Sequence, residues 1–401
     1  MGSRASDLFL RNITLLLFLF VSIARSTSSK SKTFNVNYFG AVADGKRDNS
    51  KAFMEAWKEA CFWRGKARVL IPKGTYLVGP ISFIGPCRGV MVFKVQGVIR
   101  APYGLAKVDE DSWIKFQYID GLKIGGAGTF DGQGASAWPY NECSKNTQCR
   151  TLPVSIRFDF VNNATVQGIN SINSKAFHIN VFACKNLKFK SVTITAPHDS
   201  PNTDGIHIGN SNDITIFRSK IGTGDDCISL GPGSSNIYIS RVTCGPGHGI
   251  SVGSLGKYPN EEDVTGLTVR NCTFLGTTNG VRIKTWAPSP PSVAKNFSFE
   301  SIFMDKVENP IIIDQQYCPT RTCSHESSSQ VQIRDVNFIN IWGTSRTKLA
   351  VDLSCSRGVP CRNIKLDRIY LPYHGGGIST SSCSNVDGIS YGEQIPPSCI
   401  S

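Results

Sequence analysis

Charge is sparse in this chain and nowhere concentrated. Only 18% of its 401 residues are Asp, Glu, Lys or Arg, and no run of five or more Lys/Arg occurs. No zinc-finger, basic-zipper or RNA-recognition pattern is present, so a nucleic-acid partner is not expected. The absence of any C-x-x-C leaves a zinc ribbon unsupported. No apolar run reaches the roughly 20 residues that a spanning helix needs, so no membrane partner is expected either. Through the middle and end of the chain the turn formers fall too close together for a repeated helix of about 10–12 residues.

What is present describes a folded, exported chain. Hydrophobic residues make up 40% and aromatics 10%, with 38 Gly and 20 Pro, which excludes disorder. Lys and Arg exceed Asp and Glu by 13, an excess that favours an anionic partner: nucleic acid, an anionic lipid surface or an acidic polysaccharide. At the N-terminus Arg4 and Arg11 are followed by an apolar run from Ile13 to Ala24 and then by small residues. Residues 1–26 therefore read as a secretory signal peptide, and residues 27–401 as one soluble unit whose net charge stays at +11.

Fourteen cysteines fit an oxidising compartment. Six pairs are close enough in sequence to staple loops: Cys61/Cys87, Cys143/Cys149, Cys227/Cys244, Cys318/Cys323, Cys355/Cys361 and Cys383/Cys399. Cys184 and Cys272 remain, each inside an apolar run, and read as buried thiols. Asn163, Asn271 and Asn296 open glycosylation sequons.

A turn former followed by apolar–x–apolar recurs at Gly121, Asn163, Asn186, Asn212, Asn236, Gly266, Asn296, Gln330 and Asn363, with intervals of 23 to 34 residues from Asn163 onward. That period marks a solenoid. Since each unit holds only short strands, the expected fold is all-β: a single-domain parallel β-helix with one core running along its axis. Phe53, Ala56, Trp57, Ala60 and Cys61 lie at helical spacing behind Asp48-Asn49-Ser50. They predict an amphipathic helix over residues 49–64 that caps the first coil. The stretch from Gly375 onward reads as a disulfide-tied far end.

Chemistry concentrates between residues 202 and 284. Asn202-Thr203-Asp204, Gly224-Asp225-Asp226, Gly247-His248-Gly249 and Arg282-Ile283-Lys284 follow one another at near-coil intervals of 21, 23 and 34 residues from Asp204. Adjacent coils lie about 4.8 Å apart, so three carboxylates and an imidazole should meet on one face with two cations one coil beyond. Such a cluster suits acid–base cleavage of a glycosidic bond, in which one acid protonates the leaving oxygen and another carboxylate activates water. Crowding would hold one carboxyl protonated. Arg282 and Lys284, two residues apart on a strand, would face the same way and form a site for an anion.

These four ordered motifs, with Phe39-Gly-Ala-Val-Ala-Asp-Gly45 and Gly128-Thr-Phe-Asp-Gly-Gln-Gly134, resemble the polygalacturonases of glycoside hydrolase family 28 over nearly the whole mature chain. The resemblance implies a right-handed β-helix, hydrolysis of α-1,4-galacturonosyl links with inversion, and neither metal nor cofactor. By motif, Asp225 would be the general acid, and Asp204 and Asp226 the pair that activates water. His248 would support the acid or bind substrate. Asn202, Arg282, Lys284 and Tyr317 would bind substrate. The implied partner is polygalacturonate, acted on in the plant cell wall by a monomer. Phe182-Ala-Cys-Lys-Asn186, Asp199-Ser-Pro-Asn-Thr-Asp204 and Gly249-Ile-Ser-Val-Gly-Ser-Leu-Gly256 look like plant pollen-type exopolygalacturonases, which implies terminal attack; endo attack is the alternative.

Other readings are weaker. Gly249-Ile-Ser-Val-Gly253 matches a nucleophile elbow but lacks a following helix. Gly132-Gln-Gly134 lacks the β-α-β unit of a dinucleotide site. A calcium-dependent pectate lyase shares the solenoid and the polyanion, and a pectin-binding β-helix without activity is the non-enzyme alternative.

Overall fold

The computed structural model describes residues 31–105, 111–141, 151–319 and 328–400. Residues 1–26, read as a signal peptide, lie outside these. The described strands make two parallel sheets of 22 and 11 strands that wind into a right-handed β-helix. Most strands are three to six residues long with alternating burial, as in Ala67–Ile71 and Met91–Val95. That alternation sends every second side chain into the axis of the helix. In the 11-stranded sheet Ile179, Ile206, Ile228, Ile250, Val281, Ile311 and Val351 stack in register, all buried. Their β-branched side chains are stiff and repeat at the strand spacing, so one rotamer packs on the next.

The recurrent turn former has a backbone reason. Asn163, Asn186, Asn236, Asn296 and Asn363 have φ between 53° and 62°, and Gly121 and Gly266 lie in the same left-handed region. Asn and Gly tolerate that conformation best. Two positions differ from the sequence reading. Ile214 pairs with Leu187 and brings Asp213 rather than Asn212 to the turn. Phe297 pairs with Val336, so the equivalent of Asn296 is Asp335 and not Gln330. Stacked turns share hydrogen bonds: Asn186 donates to Asn163 and Asn363 to Asp335, both at 2.7 Å. The sequon residues Asn163, Asn271 and Asn296 are exposed.

The capping helix spans Ser50–Phe62 and buries Ala52, Phe53, Ala56, Trp57 and Ala60. Trp57 packs on Phe83, Phe93 and Phe116 and seals that end of the core. Cys61 leaves the stripe to bond Cys87. Asn49 does not cap the helix with its side chain; it accepts from Val42 N and donates to Arg47 O and Leu77 O, tying the helix entry to the first coil. Cys227–Cys244, Cys355–Cys361 and Cys383–Cys399 are bonded as expected, and Cys184 and Cys272 are free and buried. The Cys143/Cys149 pair, and Cys323 of the Cys318/Cys323 pair, lie outside the described residues. No helix among the described residues is long and apolar enough to cross a membrane.

Candidate active site

Three coils and their successor supply the cluster. Ile206, Ile228, Ile250 and Val281 are register partners, and two residues before them stand Asp204, Asp226, His248 and Asn279. Asp204 is thus the cross-strand equivalent of Asp226, not of Asp225 as the motif spacing suggested. Arg282 is likewise equivalent to Ser251 rather than to His248. The turns are laced together by their backbones: Gly205 N donates to Asp226 O at 2.9 Å and His248 N to Asp225 O at 2.8 Å. Gly247 has φ of 143°, and a Cβ there would come within 2.7 Å of Asp225 O. Only glycine allows this approach.

Each charged group has a defined partner. His248 Nδ1 lies 3.0 Å from Asp225 Oδ1, which also accepts from Asp226 N at 2.8 Å. Asn202 Nδ2 is 3.5 Å from Asp225 Oδ2. Asp226 accepts from Lys284 Nζ at 2.8 Å, Arg282 at 3.1 Å and Ser251 Oγ at 2.7 Å. Asp204 accepts from Ser229 Oγ at 2.7 Å, and that hydroxyl is 2.8 Å from His207 Nδ1. The Tyr317 ring lies 5.3 Å from Lys284 Nζ and 6.0 Å from Arg282 Cζ. Of the eight residues singled out in the sequence, Asn202, Asp204, Asp225, Asp226, Lys284 and Tyr317 line one cleft, and His248 and Arg282 bond to its Asp225 and Asp226.

The cluster splits its carboxylates. Burial, then the nearby Asp225 and Asp226, push Asp204 well above the usual carboxylate range. Burial also pushes Asp226 up, but Lys284 and Arg282, with hydrogen bonds from Lys284 and Ser251, outweigh it and hold Asp226 below its ordinary value. Burial brings His207 down to about 4, so at neutral pH it is an uncharged partner.

Sequence reasoning missed Ser229, Ser251 and His207. They stand three residues after Asp226, His248 and Asp204, the same offset that separates Arg282 from Asn279. Four coils with one offset were a readable signal. Ser251 also disposes of the nucleophile elbow: it sits within the strand Ile250–Leu255 and donates to Asp226. Gly134–Ser136 is a single 3-10 turn, which removes the dinucleotide reading.

The cleft holds about 800 Å³. Phe177 and Phe182 line one side, and the segment from Lys257 to Glu262 lines another, braced where Glu261 accepts from Gly256 N, Lys257 N and Tyr258 N. Ligand atoms of Asp225, Asp226 and His248 lie within 4.8 Å of one another. A cation there would have to compete with Lys284 and Arg282, which already occupy Asp226. This donor set is poorly suited to calcium.

Residues 61–395 match the family described as Glycosyl hydrolases family 28. The chain belongs to that family. It is 50% identical over 374 residues to an exopolygalacturonase of Platanus acerifolia, covering 93% of this chain and 99% of that one. It is 46% identical to a polygalacturonase of Gossypium hirsutum, covering 96% and 94%. An exopolygalacturonase structure from Thermotoga maritima superimposes with a TM-score of 0.72 at 19% identity, over 89% of this chain and 91% of that one. The family 28 chain is a glycoside hydrolase.

Proposed function

We propose that residues 27–401 form a secreted exopolygalacturonase that releases galacturonate from the end of polygalacturonate chains. The observation that carries this reading is the split environment of the aspartates. Asp225 is the accessible one, its side chain 20% exposed against 2% for Asp226, so Asp225 is the group able to touch a leaving oxygen and protonate it. His248 orients Asp225. Asp204 and Asp226, cross-strand equivalents below it, position the attacking water, with Asp226 kept anionic by its two cations. Lys284, Arg282 and Tyr317 receive a substrate carboxylate on the far side, and Asn202 contacts the sugar beside Asp225. Relatives bearing the name exopolygalacturonase support terminal attack, and the disulfides support an extracellular setting.

Stereochemistry has two readings. The Asp225 and Asp226 carboxylates are closer than the roughly 6.5–9.5 Å usual for inverting enzymes, which favours retention. Against this, Asp226 is held by Lys284, Arg282 and Ser251 and is not free to attack carbon, which favours inversion. Proton NMR of the first-formed anomer separates them: the β anomer fits inversion.

The test of the activity is a product profile on polygalacturonate in EDTA. Early monogalacturonate with slow viscosity loss is expected. A ladder of oligomers with rapid viscosity loss overturns terminal attack, and unsaturated product appearing only with calcium overturns hydrolysis.

A further inference from the structure

Away from the catalytic cluster, a row of aromatic rings runs along the edge of the 11-stranded sheet. Tyr118 and Phe160 stack at 5.1 Å with planes 17° apart, and Phe160 meets Phe182 edge-on at 6.1 Å. Phe182 lines the catalytic cleft. The row is thus continuous with the pocket, one ring per coil, reaching about 14 Å from the Asp204 coil at the strand spacing.

Burial in the core does not account for these rings. Tyr118 and Phe160 follow strands Ser112–Gln117 and Val154–Asp159 at one turn position, where the next coils carry Ala183 and Asn210. All four residues are left-handed, with φ of 57°, 55°, 53° and 48°. Bulky residues are disfavoured there and Asn is tolerated. Tyr118 and Phe160 are moreover 51% and 43% exposed, so burial does not offset the strain. A strained, solvent-facing aromatic pair leading into a binding cleft points to a ligand.

The two cations carried by these strands are paired. On the same two strands Arg157 is held by Asp159 at 2.8 Å and by Asp111, and Lys115 is 3.2 Å from Asp111. Two cations and two anions cancel. A sugar lying here meets flat apolar rings, and the two cations on these strands are already paired.

We infer that Tyr118, Phe160 and Phe182 form a flanking track that stacks on the carbon-bound faces of successive sugar units of the same galacturonan chain, and that it takes those units whether or not their carboxyls carry charge. This rests on the polygalacturonase reading above. Methyl-esterified units fit such a track as well as free galacturonate does.

The test is the Tyr118→Asn/Phe160→Asn double variant of the full secreted chain. Asn suits the left-handed turn, so the fold is kept while the rings are removed. The kcat/KM on polygalacturonate should fall roughly tenfold, about 1.4 kcal/mol, and mainly through KM. Digalacturonate, too short to reach the rings, should be turned over unchanged. The same loss should appear at low salt and at 1 M salt, where the Debye length is only about 3 Å, and on partly methyl-esterified polymer. Phe160→Tyr, which keeps a ring, should retain polymer turnover. Equal losses on both substrates, no loss on the polymer, or a loss abolished by salt each overturn the track. Failure of the unaltered protein to release galacturonate from either substrate overturns the activity itself and is told apart by that control.

Discussion

Ser229 and Ser251 are cross-strand neighbours, yet each gives its hydroxyl to a different aspartate. Ser229 donates to Asp204 and is backed by the uncharged His207; Ser251 donates to Asp226 and is backed by the Arg282 guanidinium, whose Nε lies 3.2 Å from its Oγ. A single row of register partners, His207, Ser229, Ser251 and Arg282, therefore places a neutral group behind one carboxylate and a cation behind the next.

Removing a cation should move Asp226. With Lys284→Met, burial is opposed only by Arg282 and the Ser251 hydrogen bond, and the Asp226 carboxyl rises. A carboxyl held low contributes stability that is present above its ordinary range and lost as pH falls. The variant should lose that contribution at a higher pH than the parent and be about 3 kcal/mol less stable at pH 7. Urea unfolding from pH 7 to below pH 4, where the parent loses the contribution, measures both.

Asp204 carries the opposite sign. A carboxyl raised by burial costs stability once pH exceeds its ordinary range, because the folded state must then hold a buried charge. Asp204→Asn still accepts from Ser229 and should raise Tm at pH 7. The gain should shrink as pH falls toward 3, where the carboxyl is largely protonated in both folded and unfolded chains.

Asp225→Asn cannot give up a proton. Release from polygalacturonate should fall by about 10²–10⁴, whereas galacturonosyl fluoride, whose leaving group needs no protonation, should still be cleaved. Asp204→Asn should not be rescued by the fluoride. The reverse pattern would make Asp204 the acid.

The Cys227–Cys244 bridge closes a loop of 17 residues that begins two residues after Asp225. Replacing both with Ala should cost about 3 kcal/mol by chain entropy, seen as a lower urea midpoint.

At the capped end, Trp57 is 2% exposed among three phenylalanines. Trp57→Ala should cost about 3–5 kcal/mol while leaving KM for digalacturonate unchanged, since the helix is remote from the cleft.

The solenoid and the clustering of the candidate site residues were legible in sequence for one reason: a parallel coil repeats the same backbone conformations, so Asn163, Asn186 and Asn236 return at left-handed turns. The motif residues were legible because Gly247, Asp225 and His248 are tied to tight turns that admit few alternatives. Register was less so. Coil lengths vary in the loops, and counting from Asp204 to Asp225 missed by one residue the true partner, Asp226. The serines were readable only through their shared three-residue offset, because a Ser within a strand is unremarkable until its neighbour across the sheet is known. The Tyr118 and Phe160 ring pair depends on backbone torsions that composition does not reveal.

A β-helix has two ends, and they are closed by different means. The helix covers the first coil, but the last one, Thr380–Ser384 and Val386–Ile395, leaves Ile389 and Tyr391 about half exposed. Its strands offer backbone groups to any further coil, including one from a second molecule. The Cys383–Cys399 bond folds the tail back across this edge, where Ser381 Oγ donates to Pro397 O. The bond therefore holds the tail against the end of the solenoid that the capping helix does not cover.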